Sequence, residues 1–318
     1  MSVDKSSDML ARAAGLIRAG KLVAFPTETV YGLGANALDP VAVARIFQAK
    51  GRPTTSPLIV HVDSIRMARE LALEWPPAAE TLARRYWPGP LTLVVPKQPL
   101  IPGIVTAGLK TVGLRAPSHP LALALIREAG VPIAAPSANR FAQLSPTTAQ
   151  HVREALGDSV ELILDGGPTT VGIESTVLSL ATCPPRLLRP GMVSLQEIES
   201  LIGLVEVWGR IENGRTAHAS PGLHQKHYCP ATTLLLVEGG LPPLAGRGVY
   251  LWREHPAEAA ASIAMPREAQ AYAAALYETL HREDSKGWDW IAVEKPPETP
   301  EWAGILDRLA RAACSWPG

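Results

Sequence analysis

Lys50 and Arg52 stand two residues apart, followed by the hydroxyls of Thr54, Thr55 and Ser56. Arginine presents a planar fork and lysine a point charge, so the set suits phosphate oxygens. By composition alone an ordinary solvated loop would look the same. Upstream, Pro26-Thr27-Glu28-Thr29-Val30-Tyr31-Gly32-Leu33-Gly34 is polar and glycine-bearing. Arg115-Ala116-Pro117 and Pro136-Ser137-Ala138-Asn139 each follow a short apolar run. The second of these equally fits a turn with local side-chain bonding. Gly166-Gly167-Pro168 and Gly172-Ile173-Glu174-Ser175-Thr176 match neither a Walker nor a dinucleotide phosphate loop. No Gly-x-Ser-x-Gly elbow supports a serine hydrolase. His224, His227 and Cys229 lack a fourth partner and make a poor zinc signature, so no metal ligand is assigned.

These residues need elements to hold them. Leu22–Phe25 predicts a strand, and the polar stretch after it a loop. Asp39 as N-cap, Pro40 at the first position and Gly51 past the end bound a helix that delivers Lys50 and Arg52. Leu58–His61 begins the next strand. Asp63 reads as the cap of a helix to Leu73, and residues 78–86 as another helix. Strands are expected at 91–95, 111–114, 131–135, 160–164, 174–180 and 186–189. Helices are expected at 8–19, 120–129, from the Ser145-Pro146 start, and from the Ser194–Glu197 capping box to Ile202. The mixture predicts an α/β unit with a twisted mixed sheet over 1–204. Residues 205–230 show little periodicity and read as a linker or lid. Strands at 233–237, 248–252 and 290–293, with helices at 268–281 and 302–313, make residues 231–318 a smaller α/β unit.

The bounds agree. The 318 residues allow two domains, and 47% hydrophobic content is ample for two cores. Thirty Lys and Arg balance thirty Asp and Glu, which weighs against holding nucleic acid by bulk charge. Three scattered cysteines imply no disulfide framework and fit a reducing compartment. No apolar signal core opens the chain and no run approaches a membrane span, so a cytoplasmic protein without membrane contact is expected.

Taken together the motifs become specific. Phe25–Gly34, Lys50-Gly-Arg52, Pro57-Leu-Ile-Val-His61, Trp87-Pro-Gly-Pro-Leu-Thr92, Leu114-Arg-Ala-Pro117, Ala135-Pro-Ser-Ala-Asn139, Ser145-Pro-Thr147, Glu174-Ser-Thr176 and Arg189-Pro-Gly191 occur in the order seen in the YrdC/Sua5 family. With Ser220-Pro-Gly222, His227-Tyr228 and the C-terminal unit, the chain resembles the two-domain Sua5 type nearly end to end. The resemblance implies a YrdC-like sheet, a Rossmann-like C-terminal domain, and a nucleotidyl transfer. L-threonine, bicarbonate or CO2, and ATP would give threonylcarbamoyl-AMP and pyrophosphate. That product would feed a tRNA threonylcarbamoyl transferase complex acting on adenosine 37, and a weak tRNA contact is possible.

Residue by residue, the family pattern places threonine near Thr29, His61, Arg115, Ala135 and Ser175. It places ATP near Arg52, Ser56, Thr111, Ser137, Ser145, Arg189 and Tyr228. The two signatures with catalytic roles fall on Lys50/Arg52 and Ser137/Asn139. An aspartate-rich cage is missing, so Mg2+ is expected to ride on the ATP phosphates and water. Ser56 stands where the family usually has Asn, Phe141-Ala142 where Ser-Gly is usual, and Cys229 where Ala is common. Two alternatives stand beside this reading: a tRNA- or double-stranded-RNA-binding module of the same fold, and a carbamoylation enzyme of the hydrogenase-maturation type. The neutral charge balance argues against the first. The second would bring cysteine-rich zinc fingers, which are missing here.

Overall fold

Caps and turns set the boundaries of this chain, seen here as a computed structural model that describes residues 3–207, 228–238 and 245–314. The first unit runs α1 (Val3–Arg18), β1 (Val23–Phe25), β2 (Gly32–Asn36), α2 (Pro40–Lys50), β3 (Ile59–His61), α3 (Ile65–Leu71), α4 (Pro77–Tyr86), β4 (Leu91–Pro96), β5 (Thr111–Arg115) and α5 (Pro120–Ala129). It continues with β6 (Ile133–Ala134), α6 (Ala149–Leu156), β7 (Leu162–Ile163), β8 (Thr176–Ser179), β9 (Arg186–Arg189), α7 (Leu195–Ile202) and β10 (Glu206–Val207). The second unit is β11 (Thr233–Val237), β12 (Gly248–Trp252), β13 (Ala261–Ala264), α8 (Ala269–Asp284), β14 (Trp290–Glu294) and α9 (Ala303–Ala312).

The caps explain α2. Asp39 accepts the N–H groups of Val41 and Ala42, Pro40 starts the first turn, and Gly51 closes it at φ 62°. Glycine reaches that left-handed region without a Cβ clash. Ser194 and Glu197 form the expected capping box of α7.

The first sheet has ten strands in the order β10-β9-β8-β4-β5-β3-β6-β2-β1-β7, with both parallel and antiparallel pairs. The second has four parallel strands in the order β11-β14-β12-β13. Parallel strands need crossovers, and α8 supplies the one from β13 to β14. Leu33, Ile46, Leu58, Val60 and Leu114 fill the main core of the first sheet. A separate cluster joins the two units: Val30, Leu144 and Ile173 pack with Tyr272, Leu276, Tyr277, Ile305 and Leu309.

Several expectations change. Gly32–Asn36, expected as loop, is a strand paired antiparallel with β1 and β6. Ser64, not Asp63, caps α3, by accepting the N–H of Met67. Ser145 does not start a helix: Thr148 caps α6, and Ser145 is fully buried. Residues 261–264 form a strand that was not expected. The first sheet also reaches past residue 204, because β10 pairs with β9. Of the expected lid over 205–230, residues 208–227 lie outside the described residues.

Candidate active site

Strand ends of the first sheet, the end of α2 and one returning segment converge on a single cleft. Thr27, Thr29 and Val30 from the turn between β1 and β2 line it, with Arg52 after α2, Ile59 and His61 of β3, and Arg115 of β5. Ala135, Pro136 and Ser137 follow β6, Glu174 and Ser175 precede β8, and Arg189 ends β9. Tyr228, just before β11, completes the wall. Free space, counting the open mouth, is about 540 Å³, within the range of small-molecule sites.

Register brings the threonine candidates together. β3 and β5 are parallel, with His61 directly beside Arg115. Arg115 Nη2 lies 2.8 Å from Glu28 Oε1, close enough for an ion pair but off the line of a hydrogen bond. Its Nε donates to Gly89 O at 3.2 Å. Burial, helped by the neighbouring Arg115 charge, pushes the His61 imidazole down to about 3, so it is neutral at pH 7. Its Nδ1 is buried without a hydrogen-bond partner. Thr27 braces its turn: its hydroxyl donates to Val30 O at 2.6 Å and accepts from the N–H of Thr29 and of Val30. Ser175 Oγ is 2.8 Å from Thr92 Oγ1 on β4.

Further cations line the same cleft. Arg189 donates through Nε and Nη2 to Ser175 O, at 3.1 and 3.0 Å. Arg52 Nη2 donates to Pro57 O at 3.1 Å, leaving Nε buried and without a hydrogen-bond partner. Burial lowers Arg52 to about 10, and Arg189 is lowered by the same cause. Both remain charged at neutral pH. Two buried guanidinium groups beside Ser137 and Tyr228 make a ready counter-charge for an anion.

Five sequence candidates do not line this cleft: Lys50, Ser56, Thr111, Asn139 and Ser145. Lys50, expected at the phosphates, is engaged by the protein itself. Its ammonium donates to Ser137 O at 2.5 Å, to Asn139 O, and to Asn139 Oδ1 at 3.3 Å. An ammonium has three donors and all three are committed to the loop that presents Ser137. Burial and the nearby Arg52 hold its pKa well below the ordinary value. Asn139 extends the brace, donating to Arg140 O and Gln143 O at 2.9 and 2.8 Å. Ser145 stands behind the wall, its hydroxyl donating to Glu174 Oε1 at 2.5 Å. Thr111 lines an adjoining recess with Thr92 and Ile59, and Ile59 is shared with the main cleft. Ser56 is buried, its N–H on Pro53 O at 3.2 Å.

Other residues matter that motif reading did not single out. Glu28 and Glu174 stood inside quoted motifs, and their carboxylates pair with Arg115 and Arg308. Tyr277 and Arg308, from the second unit, had no signal in sequence. Ala142 takes a φ of 66°, where glycine would be unstrained, and its carbonyl accepts the N–H of Cys229 at 2.9 Å. That contact fixes the residue after Tyr228. Among the described residues no group of three His, Cys, Asp or Glu side chains is placed to hold a metal, and His224 and His227 lie outside them.

The same assembly occurs elsewhere. A family model described as telomere recombination, covering the Sua5, YciO and YrdC proteins, matches residues 15–191. A second, described as the C-terminal domain of threonylcarbamoyl-AMP synthase, matches residues 193–314. The chain belongs to the Sua5–YrdC family. It is 44% identical to the threonylcarbamoyl-AMP synthase of Pyrococcus abyssi, over 95% of this chain and 93% of that one. It is equally 44% identical to the Bacillus subtilis synthase, over 96% and 92%. The crystal structure of P. abyssi Sua5 complexed with L-threonine superposes with a TM-score of 0.89 at 41% identity, covering 96% of this chain and 94% of that one. The large mixed sheet with a smaller C-terminal α/β unit is therefore the Sua5 architecture. No described helix is long and apolar enough to cross a membrane.

Proposed function

We propose that this protein makes L-threonylcarbamoyl-AMP from L-threonine, bicarbonate or CO2, and ATP, releasing pyrophosphate. The observation that carries the reading is one cleft lined by Arg115 beside neutral His61, by Ser175, and by the further cations Arg52 and Arg189. P. abyssi Sua5, which shares this architecture, has been seen with L-threonine.

The chemistry asks for positioning. The neutral amine of threonine adds to CO2, an N–C bond forms, and the nitrogen gives up a proton to water. A carbamate oxygen then bonds to the α-phosphorus of ATP as the bond to pyrophosphate breaks. The carbamate already carries charge, so no serine or cysteine nucleophile is needed. Arg115 suits the threonine carboxylate as a fork, with Glu28 fixing its orientation. Ala135 and Ser175 leave room for a small side chain, with the Thr29 hydroxyl and the neutral His61 ring beside it. Arg52 and Arg189 neutralise phosphate oxygens, which gain charge as pyrophosphate departs. Tyr228 covers this side, and exclusion of water would protect a mixed anhydride that hydrolyses readily.

Both nearby carboxylates are committed: Glu28 to Arg115 and Ser118 N–H, Glu174 to Ser145 and Arg308. A magnesium ion would therefore be held by ATP oxygens and water, and would supply further charge neutralisation there. We place the protein in the cytoplasm, handing its product to a tRNA threonylcarbamoyl transferase complex. The test is pyrophosphate release from ATP that requires both threonine and bicarbonate, with a threonylcarbamoyl-adenylate mass in the products. Pyrophosphate release without that mass would overturn the assignment. Tight, steeply salt-dependent tRNA binding in a protein inactive in this assay would favour the RNA-binding module instead.

A further inference from the structure

The second unit reaches the cleft wall through a buried cation. Arg308, on α9, is 1% exposed. Its Nε donates to Glu174 Oε2 at 2.7 Å and its Nη2 to Glu174 O at 3.1 Å. Its Nη1 donates to Pro190 O at 2.9 Å, and its guanidinium carbon lies 5.4 Å from the centre of the Tyr228 ring. One side chain thus grips the backbone just before Ser175 and just after Arg189, and also meets Tyr228. From α8, Tyr277 Oη adds a contact to Glu174 Oε2 at 3.3 Å.

Backbone contacts fix this seat. A Cβ on Gly304, at the start of α9, would lie 2.8 Å from Gly191 Cα, and one on Gly172 would lie 2.3 Å from Ala273 O of α8. Helices and loops touch with no room for a methyl group at either place. The Gly172 and Gly191 loops flank Ser175 and Arg189.

Charge gives the seat a consequence. Glu174 is an anion on the wall of a cleft whose other charged lining groups are Arg52, Arg115 and Arg189. Burial alone would push its carboxyl up, yet the charges of Arg308 and Arg189 hold it below the usual carboxylate range. Without Arg308, the remaining guanidinium in that balance is Arg189, the group aimed at phosphate.

We propose that Arg308 is a positioning residue: it takes the Glu174 carboxylate away from Arg189, so that docking of the second unit is read out as affinity for phosphate at the cleft. The proposal rests on the functional reading above for which ligand matters, so its test includes a probe that needs no turnover. Inorganic pyrophosphate binding to the full chain is measured by calorimetry, alongside KM for ATP and for threonine. Arg308→Met is expected to weaken pyrophosphate binding and raise KM for ATP about tenfold at pH 7.5, the scale of one partly buried charge interaction, with the threonine KM nearly unchanged. Adding Glu174→Gln to that variant should recover most of the loss. Wild-type affinity in Arg308→Met, or a deficit that Glu174→Gln leaves in place, overturns the proposal. If Arg308→Met does not fold, Gly304→Ala serves, since it pushes α9 off Gly191. It should reproduce the phosphate-selective loss, and an equal loss of threonine and pyrophosphate binding counts against Arg308. A wild-type chain that binds pyrophosphate but makes no adenylate sinks the functional reading alone.

Discussion

Glu28 and Arg115 form an ion pair at 2.8 Å with side chains only 6% and 4% exposed. The second carboxylate oxygen accepts the N–H of Ser118 at 3.0 Å, so Glu28 is fixed before it orients the arginine. Removing one partner of a buried pair strands the other charge, at a cost of about 3–5 kcal/mol. Glu28→Gln should therefore lower the unfolding free energy by that order. The carboxylate of threonine would then be the only anion facing Arg115. Threonine should raise the melting temperature of Glu28→Gln by more than that of the parent chain. Equal shifts in both proteins would place the threonine carboxylate elsewhere.

Arg52→Ala should cut turnover by roughly 30- to 1000-fold, since a charge-assisted contact to a dry phosphate is worth about 2–4 kcal/mol. Stability should move little, for a reason the sequence did not supply. The side chain is buried, so its loss costs packing, but the loss also relieves repulsion with Lys50 and Arg189. Steady-state kinetics and a thermal melt separate the two effects, and near-normal turnover would remove Arg52 from the site.

Lys50→Met should behave differently. It leaves the carbonyl oxygens of Ser137 and Asn139 without their donor, and each such buried group costs about 1–3 kcal/mol. Denaturant unfolding should show a loss of several kcal/mol together with lost activity. A variant as stable as the parent, yet inactive, would return Lys50 to the phosphates.

A fourth expectation concerns pH. His281 stacks on His151 across the two units, with ring centres 3.9 Å apart and His281 Nε2 3.0 Å from Ser145 O. The other charged groups nearby are Glu278, 3.4 Å from His151 Nε2, with Glu154 and Asp284 acting at longer range. Burial, aided by His151, lowers His281 from 6.5 to about 4, and burial lowers His151 as well. The unfolded chain therefore binds more protons than the folded one between those values. Stability is fully present above the ordinary histidine pKa and is lost as pH falls towards 4, by up to about 3 kcal/mol for His281. Urea midpoints from pH 7.5 to 4.5 should show that slope, and His281→Gln should flatten it. An unchanged slope would assign the acid sensitivity to other groups.

How far the sequence can be read depends on which force shapes each element. Helix α2 was legible at both ends because Asp39, Pro40 and Gly51 act locally. Strand β2 was not, because Gly-Leu-Gly-Ala-Asn has little strand propensity. Partners impose it: at Gly34 a Cβ would come within 2.7 Å of the Phe25 ring and 2.9 Å of Ile133. Edge strand β13, Ala-Ser-Ile-Ala, is short and pairs only with β12. In the cleft, Thr29, His61, Arg115, Ala135 and Ser175 could be named from motifs, and all five are among its lining residues. The carbonyl partners of Lys50 were not legible, because a lysine beside an arginine looks alike whether it faces a ligand or a carbonyl cage. Arg308 was invisible: in sequence it is an arginine on an amphipathic helix, and only the packing of that helix makes it a partner of Glu174.

Tyr228 is held on two leashes of unequal length. Four residues lie between it and the start of β11 at Thr233, a reach of at most about 18 Å, whereas residues 208–227 separate it from β10. With the second unit in place, the short leash keeps the ring at a high local concentration over the cleft. If the units part, the bond from the Cys229 N–H to Ala142 O still ties the neighbouring residue to the first unit, but the ring loses Arg308 and Tyr277. Separation of the sheets would then reach the cleft twice, by loosening one aromatic side chain and by taking Arg308 from Glu174.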